Sequence, residues 1–580
     1  MAVELKPLRW WIPALVLPFM ALMRFIPGLI EDGPAMIWMT SAFGPFLLGI
    51  IILLWWLTLS RARWTERLLG LVGVVAGLVA CVALSDPSMI GPPVVVITFP
   101  LGIALFAMAL IFLHNTLTIR RTVIAVLAAI LGFLPSCLFR NYGMWGDFSF
   151  DLDWRWNQSS EDEFFASREA SPAKNDQRAD VAELQTALAS PQWPGFRGEW
   201  RDSRVESVRI DTDWETHPPK KIWQMEVGPA WSSFAVAEPF LFTQEQRGDS
   251  ECVVCYDSRN GNQIWVHEIA SRFFEALGGL GPRATPTLAE GYVYAQGAEG
   301  WLAKLEGATG NEIWKVDVRE IADRKPPDWG FSSSPLVLDG KVYVHAGSTT
   351  DKSVLAIDSQ NGELLWSSPS GLHPYSSLQA IELQGETVLG VLSEKGLRLL
   401  SPTDGTTLLQ HDWACLNYRA LQPQVINGNQ LLIPTGAGIG TRLIEVSKSG
   451  EQWSEKELWT SRDLKPDFND FVVHNNHMYG FDNMIFCCVD LSTGKRVWKG
   501  GRYGKGQVLL LVDSNALIVQ SEQGDIYLLA AEATGLKELA KLPALQGRTW
   551  NHPVVVGNRL YARNAGQAIC YELALEEGGQ

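Results

Sequence analysis

The 580-residue sequence is short of the signatures that mark common catalytic and metal chemistries. Its eight cysteines are scattered. Cys252 and Cys255 have CxxC-like spacing, but no second pair or histidine set accompanies them, so neither a metal cage nor a haem-attachment CxxCH is read. Nine histidines include no HExxH, and no GxSxG elbow marks a serine nucleophile; a Ser, His, Asp triad drawn from distant residues stays open. Gly436 to Gly440 is not GxGxxG and opens no helix, and Gly500 to Gly506 lacks the Lys-Ser/Thr of a P-loop, so both are read as turn glycines. Positive charge is also in deficit. Lys and Arg total 48 against 63 Asp and Glu, a net charge of -15 that disfavours nucleic acid or an anionic surface as the general partner. A local basic site stays open.

Long apolar runs are confined to the N-terminal part, up to about Phe139, and the remainder carries most of the acid, amide and turn-forming Gly. Five apolar stretches can be drawn: Trp11 to Ile30, Ala35 to Leu59, Leu68 to Leu84, Val94 to Leu113 and Val123 to Phe139. Each is near the roughly 17 to 25 residues that cross a bilayer core. The first is read as a retained anchor, since no small-residue cleavage site follows it. Lys6, Arg9, Arg61, Arg63, Arg67, Arg120 and Arg121 fall on one side, and Glu31, Asp32 and Asp86 on the other. The positive-inside rule then makes the N-terminus cytoplasmic and places everything after Arg140 outside, which for a bacterial inner membrane is the periplasm. Trp10, Trp11, Trp55, Trp56 and Trp64 suit interfacial belts. Arg24 is read as snorkelling or paired inside the bundle, and Gly73 and Gly77 as allowing close helix packing. The organisation expected is a five-helix transmembrane domain over residues 1–140, an acidic, partly helical tether over 141–192, and an all-β domain over 193–580.

Beyond the tether one phrase recurs, running from an acid through a Gly turn to a Trp: Asp257 to Trp265, Glu306 to Trp314, Asp358 to Trp366 and Asp490 to Trp498. Weaker copies at Ser401 to Leu409, Val446 to Trp459 and Ala531 to Leu539 give spacings of about 40 to 50 residues, the range of four-stranded propeller blades. Hairpin signals lie upstream of these turns, as in Leu338-Asp-Gly-Lys-Val-Tyr343. Three-strand units begin near Phe234, Thr285, Pro335, Ala380, Pro423, Phe471, Val508 and Pro553. The last unit lacks its own Trp strand, and an orphan strand, Lys221 to Val227 with Trp223, precedes the first. Together they predict an eight-bladed propeller closed by its two ends.

These repeats resemble the pyrroloquinoline quinone (PQQ) propeller family, and Trp193-Pro-Gly-Phe-Arg-Gly198 is similar to the entry phrase of its bacterial PQQ-like repeat members, although Glu199 to Asp202 departs from that pattern. Five spans followed by eight blades also resembles the layout of membrane-bound quinoprotein glucose dehydrogenases. The resemblance implies two alternatives. One is a periplasmic binding or scaffold module in the cell envelope, engaging envelope proteins or a small anionic ligand, as in the lipoprotein component of the outer-membrane protein assembly machinery. The other is a PQQ- and calcium-dependent dehydrogenase of sugars or alcohols that passes electrons to membrane quinone. For either, the candidate ligand-binding residues are those opening each blade: Trp231, Arg283, Trp329, Tyr375, Arg419, Lys505, Trp550 and Asn551, with Asp467, Asn469 and His552 nearby. Three cations and several aromatics at one mouth would suit a flat anionic ligand. Cys487 and Cys488 resemble the vicinal disulfide of some such dehydrogenases, but the pair sits inside a repeat strand just before Asp490, where side chains alternate, so ordinary buried cysteines are expected.

Overall fold

The structure is a computed structural model, and it describes residues 7–25, 35–116, 119–170, 180–416, 418–436 and 438–576. Lys6, Glu31, Asp32 and the expected end of the first span at Ile30 lie outside the described residues. The chain divides into two compact units, residues 1–157 with 274–279, and residues 158–273 with 280–580.

The first unit is a helical bundle. Its helices are α1 (Trp11–Phe25), α2 (Ala35–Thr58), α3 (Trp64–Leu84), α4 (Phe99–Phe112), α5 (Arg120–Phe133) and the short α6 (Pro135–Leu138). A single π-helical turn, Val94–Thr98, leads into α4. Among the described residues four segments are long and apolar enough to cross a membrane, Met39–Thr58, Trp64–Leu84, Val94–Phe112 and Arg120–Leu138, and α1 is a shorter apolar helix. The chain is therefore a multi-pass membrane protein of about five helices. Small residues set its packing, as expected where lipid gives no hydrophobic drive between helices. A Cβ on Gly73 or Gly77 would stand 2.8 Å or 2.6 Å from Val126 or Ile130 of α5, and one on Gly132 would meet the backbone of Gly102 in α4 at 2.7 Å.

Two polar contacts tie the bundle's helices together. Glu66 accepts from Arg121 Nε at 2.9 Å and from Thr122 at 3.3 Å, and Arg24 donates to Ser41, whose hydroxyl returns to the Arg24 carbonyl at 2.9 Å. Two of the expected belt residues are instead core. Trp55 and Trp56 are buried, and Trp56 Nε1 donates to the Arg67 carbonyl at 3.1 Å, because the end of α2 packs against the start of α3; Trp10, Trp11 and Trp64 are exposed. A hairpin that the sequence did not suggest, β1 (Phe139–Met144) and β2 (Phe150–Trp154), follows the last helix, with Phe139 stacked on Trp154.

The second unit begins with α7 (Ser160–Ala170) and α8 (Val181–Leu188). Phe164 of α7 is buried beneath the Arg247 guanidinium, and Leu184 and Leu188 of α8 enter the core with Val253 and Leu305. The rest is an eight-bladed β-propeller of antiparallel sheets. Its innermost strands are Ala235–Ala237, Thr287–Ala289, Leu336–Leu338, Gln379–Leu383, Gln424–Ile426, Phe471–His474, Gln507–Leu511 and Val554–Val556, each starting within two residues of the position read from the repeats. The ring closes as the orphan strand required: Lys220–Glu226 is the outer strand of the eighth sheet, with Trp223 opposite Cys570. A two-residue strand, Arg204–Val205, adds in parallel to the inner edge of blade seven. All eight cysteines are free, and Cys487 and Cys488 are both buried.

The repeated Gly and Trp explain one another. Each outer-strand indole reaches the turn of the next blade, where Trp265 Nε1 donates to the Gly307 carbonyl, Trp314 to Ser359 and Trp459 to Leu491, all at 3.0 Å. The ring then covers that turn's glycine, so that a Cβ on Gly310 would stand 2.6 Å from Trp265 and one on Gly494 2.7 Å from Trp459. Both glycines have positive φ, 75° and 66°, so the position demands Gly twice over. Replacing Trp265 by Ala is expected to cost about 3–5 kcal/mol of propeller stability. Gly310→Ala, which would stabilise a site compatible with Ala, should here cost more than about 1 kcal/mol. Urea unfolding followed by circular dichroism measures both; midpoints unchanged from wild type would refute the docking role.

Candidate functional site

Two structures meet on the propeller axis: an entry segment threaded through it and an aromatic belt at the end where the innermost strands begin. The entry segment, residues 193–205, holds three non-glycine residues in the left-handed region, Arg197 (φ 64°), Arg201 (φ 54°) and Ser203 (φ 61°). Such backbone persists only where surrounding bonds over-determine it. Here two buried guanidiniums do so. Arg197 donates to Asp470 (Nη2 to Oδ1 2.6 Å), Ser203 (2.8 Å), Gln422 (3.0 Å) and the Phe471 carbonyl (3.2 Å). Arg201 donates to the carbonyls of Ser334, Pro335 and Leu378, joining blades three and four. Burial, with Arg197 near it, lowers the Arg201 pKa to about 10, which leaves it charged at neutral pH.

Around Arg197 lies a Ser, His, Asp cluster. His552 Nε2 stands 2.9 Å from Ser203 Oγ and 3.1 Å from Asp470 Oδ2, while Nδ1 faces the Pro553 carbonyl at 2.7 Å. In a nucleophilic triad the acid holds the ring nitrogen opposite the one facing the hydroxyl. Here both partners share Nε2, Ser203 also donates directly to Asp470, and all three residues are buried. The cluster is an internal tie.

Ahead of the same strand starts the blade-opening segments make a continuous belt. The Trp231 amide donates to the Pro282 carbonyl, and Arg283 Nε donates to the Trp329 carbonyl. The Trp329 ring lies 5.2 Å from Tyr375 and edge-on to Tyr418 at 4.6 Å. Tyr418 donates to Asp467 at 2.8 Å, and Asp467 accepts from Lys505 Nζ at 3.0 Å. Phe468 then contacts Trp550 at 4.8 Å, and Trp550 returns to Trp231 at 4.9 Å, with Arg548 over both indoles. Five of the expected residues thus share the belt with Lys505. Tyr418, Phe468 and Arg548 were missed, although each lies within two residues of one that was named.

Two expected residues are not on the belt surface. Arg419 is buried, donating to Thr435 Oγ1 at 2.8 Å and to the carbonyls of Ser393 and Trp413; burial lowers its pKa. Asn551 is buried too, and its amide ties blade eight to blade one through the carbonyls of Ala230 and Ser232.

The donor set does not fit a calcium-quinone site. Calcium takes six to eight oxygens, yet the two Asp467 oxygens already accept from Tyr418 and Lys505, and Asn483 Oδ1 accepts from Lys505 at 2.9 Å. Among the described residues no group of three or more His, Cys, Asp or Glu could hold a metal ion. The three cations expected to meet a cofactor's carboxylates are engaged internally, Arg283 with the carbonyls of Leu280, Gly281 and Trp329.

Burial alone would raise the Asp470 pKa, but the Arg197 guanidinium and the bonds from His552 and Ser203 outweigh it and hold the carboxyl below the usual range. A depressed carboxylate stabilises the fold above its unfolded pKa of about 3.9 and loses that contribution as pH falls through the lower folded value. Arg197→Ala is therefore expected to cost about 3–5 kcal/mol at pH 7, by leaving the acid buried and unpaired. The variant should lose less than wild type on going below pH 4, a comparison that thermal melts across pH provide. Parallel pH profiles would contradict the pairing.

A family model described as outer membrane protein assembly factor BamB matches residues 217–324 and 249–500. No curated protein sequence matches the chain. Among solved structures, BamB from Moraxella catarrhalis is 13% identical, covering 61% of this chain and 98% of its own, with a TM-score of 0.44. A quinohemoprotein alcohol dehydrogenase from Pseudomonas putida HK5 is 14% identical over 69% of this chain and 83% of its own, with a TM-score of 0.45. A europium-containing methanol dehydrogenase is 11% identical over 68% and 100%, with a TM-score of 0.40.

Proposed function

The propeller of this chain belongs to the PQQ-like repeat family, and from that membership we propose that the protein is a membrane-anchored, non-catalytic binding and scaffold module of the bacterial cell envelope. The observation that carries the proposal is the internal use of the mouth's charge. Arg283, Arg419 and Lys505 are bound to carbonyls, a hydroxyl and an acid of the ring itself, so they build the blade openings instead of awaiting an anion. Partners are then envelope proteins more than a small anionic ligand, consistent with the assembly-factor description of the matching family model.

The orientation proposed is an inner-membrane bundle with a cytoplasmic N-terminus and a periplasmic propeller. Arg61, Arg63 and Arg67 lie at the α2–α3 connection and Arg120 and Arg121 at the start of α5, whereas Asp86 follows α3; the basic connections stay in the cytoplasm. A cysteine at exposed Ser492 should react with a membrane-impermeant maleimide in spheroplasts, above the wild-type background. Labelling that needs lysis would reverse the orientation.

The dehydrogenase alternative makes the opposite chemical prediction. Purified full-length protein supplied with PQQ and calcium should show no saturable binding by calorimetry and no dye-linked oxidation of glucose or ethanol. Turnover under those conditions would overturn the non-catalytic assignment.

A further inference from the structure

The helical unit carries an aromatic stack that its spans and the proposed scaffold role leave unused. Along β2 the sequence alternates, with Phe150, Leu152 and Trp154 on one face and Asp151 and Asp153 on the other. Trp156, two residues past Trp154, keeps that phase. Its ring stacks on Trp154 at 4.9 Å and 14°, and Trp154 stacks in turn on Phe139 at 4.5 Å and 21°. Trp154 is 42% and Trp156 64% exposed. Two large rings held side by side in water forgo a substantial apolar burial.

Three ties hold the stack at the ends of two spans. Arg155, between the tryptophans, donates from Nη1 to the carbonyls of Leu84 and Cys137, both at 3.1 Å, and its amide donates to the Leu138 carbonyl at 2.9 Å. The buried Asn141 of β1 donates from its amide to Ser88 Oγ at 2.9 Å and from its side chain to the Ser88 carbonyl at 3.3 Å. Arg140 Nε lies 3.5 Å from Asp86. Leu84 and Leu138 are the last residues of the spans Trp64–Leu84, 21 residues long, and Arg120–Leu138, 19 residues long. Helices of that length measure about 31 Å and about 28 Å, against roughly 30 Å of bilayer hydrocarbon. They have no length to spare, so their ends stand where acyl chains give way to headgroups. Exposed Leu131, Leu134 and Leu138 lead along the second span to the stack, and exposed Leu84 ends the first.

We propose that Phe139, Trp154 and Trp156 form an interfacial anchor that binds phospholipid in the leaflet where α3 and α6 end, with the two indole N–H groups donating to lipid ester or phosphate oxygens. Position and chemistry both select lipid. The stack continues a surface of exposed leucines that the bilayer already covers, and a ring with an apolar body and one polar donor suits the boundary between hydrocarbon and headgroups. Arg155 brings a guanidinium to the same level, beside the phosphates. Asp151 and Asp153 occupy the opposite face of β2, away from the anionic headgroups. A soluble partner or a second copy covering these rings would first have to strip lipid from the adjoining leucines. The chain then leaves its last span through a hairpin fixed to the bilayer surface, and the free tether begins only after it. This inference goes beyond the scaffold reading, concerns the helical unit alone, and holds whichever side of the membrane these helix ends face.

Spin labelling of Trp156→Cys in the full chain, reconstituted in phosphatidylcholine nanodiscs, tests the anchor, with the signal of identically treated wild type subtracted. The nitroxide should collide more with oxygen than with a water-soluble nickel chelate, the signature of a lipid surrounding. Nickel access exceeding oxygen access would place the residue in water, and low access to both would place it beneath protein; either result overturns the proposal. Because the label replaces one of the anchoring rings, native tryptophan fluorescence supplies a second readout. Lipid brominated near the headgroup end of its chains should quench less emission in Trp154→Phe with Trp156→Phe than in wild type, and lipid brominated near the chain ends should separate the two proteins less. Equal quenching of both proteins by the shallow-brominated lipid would also overturn it. None of these outcomes bears on PQQ turnover, so a failure here and a failure of the scaffold reading are told apart.

Discussion

A radial ring of eight sheets brings eight sets of strand starts to one axis, and each polar group trapped there needs a partner within the protein. The Arg197–Asp470 pair meets that demand at the centre. Both side chains are 1% exposed, a situation that favours folding only when every remaining donor and acceptor is satisfied. Ser203, Gln422, His552 and the Phe471 carbonyl complete the set. The segment that carries Arg197 is thereby part of the ring's core even though it precedes the first blade.

Between blades a different contact repeats. An indole from an outer strand, as Trp265, Trp314 and Trp459 show, covers the turn glycine of the next sheet and donates to its backbone, so these blades fix their neighbours' rotation. With the blades held in this way, their opening segments come together as a belt of aromatic rings whose named cations bond carbonyls, a hydroxyl and one acid of the ring itself. That internal use follows from side-chain direction more than from composition.

The repeat made the ring legible. Trp, Gly and hairpin signals fixed the blade count, the strand starts and the closing role of Trp223, because each is dictated by local backbone need or by periodicity. The belt was partly legible for the same reason: a residue four positions before an inner strand, such as Trp231, Tyr375 or Trp550, reaches it. What failed was direction. Tyr418 and Arg419 are neighbours, yet Tyr418 joins the belt and Arg419 turns into the wall between blades, and no pattern outside regular structure says which of two adjacent side chains will do so. Trp55 and Trp56 were misread likewise, since an aromatic pair near a helix end suits either an interface or a helix contact. The entry segment's role was hidden because its partners, Gln422, Asp470 and His552, lie more than 200 positions away in sequence.

Hydrogen exchange followed by mass spectrometry tests the central claim, that residues 193–205 are an integral element of the ring and its axis. If the buried arginines lock that segment, its amides should exchange only with the blade cores, through cooperative opening of the propeller. Exchange of the segment while the inner strands of blades five and six stay protected would contradict it, and would make the axis a channel with a loose strand lying in it.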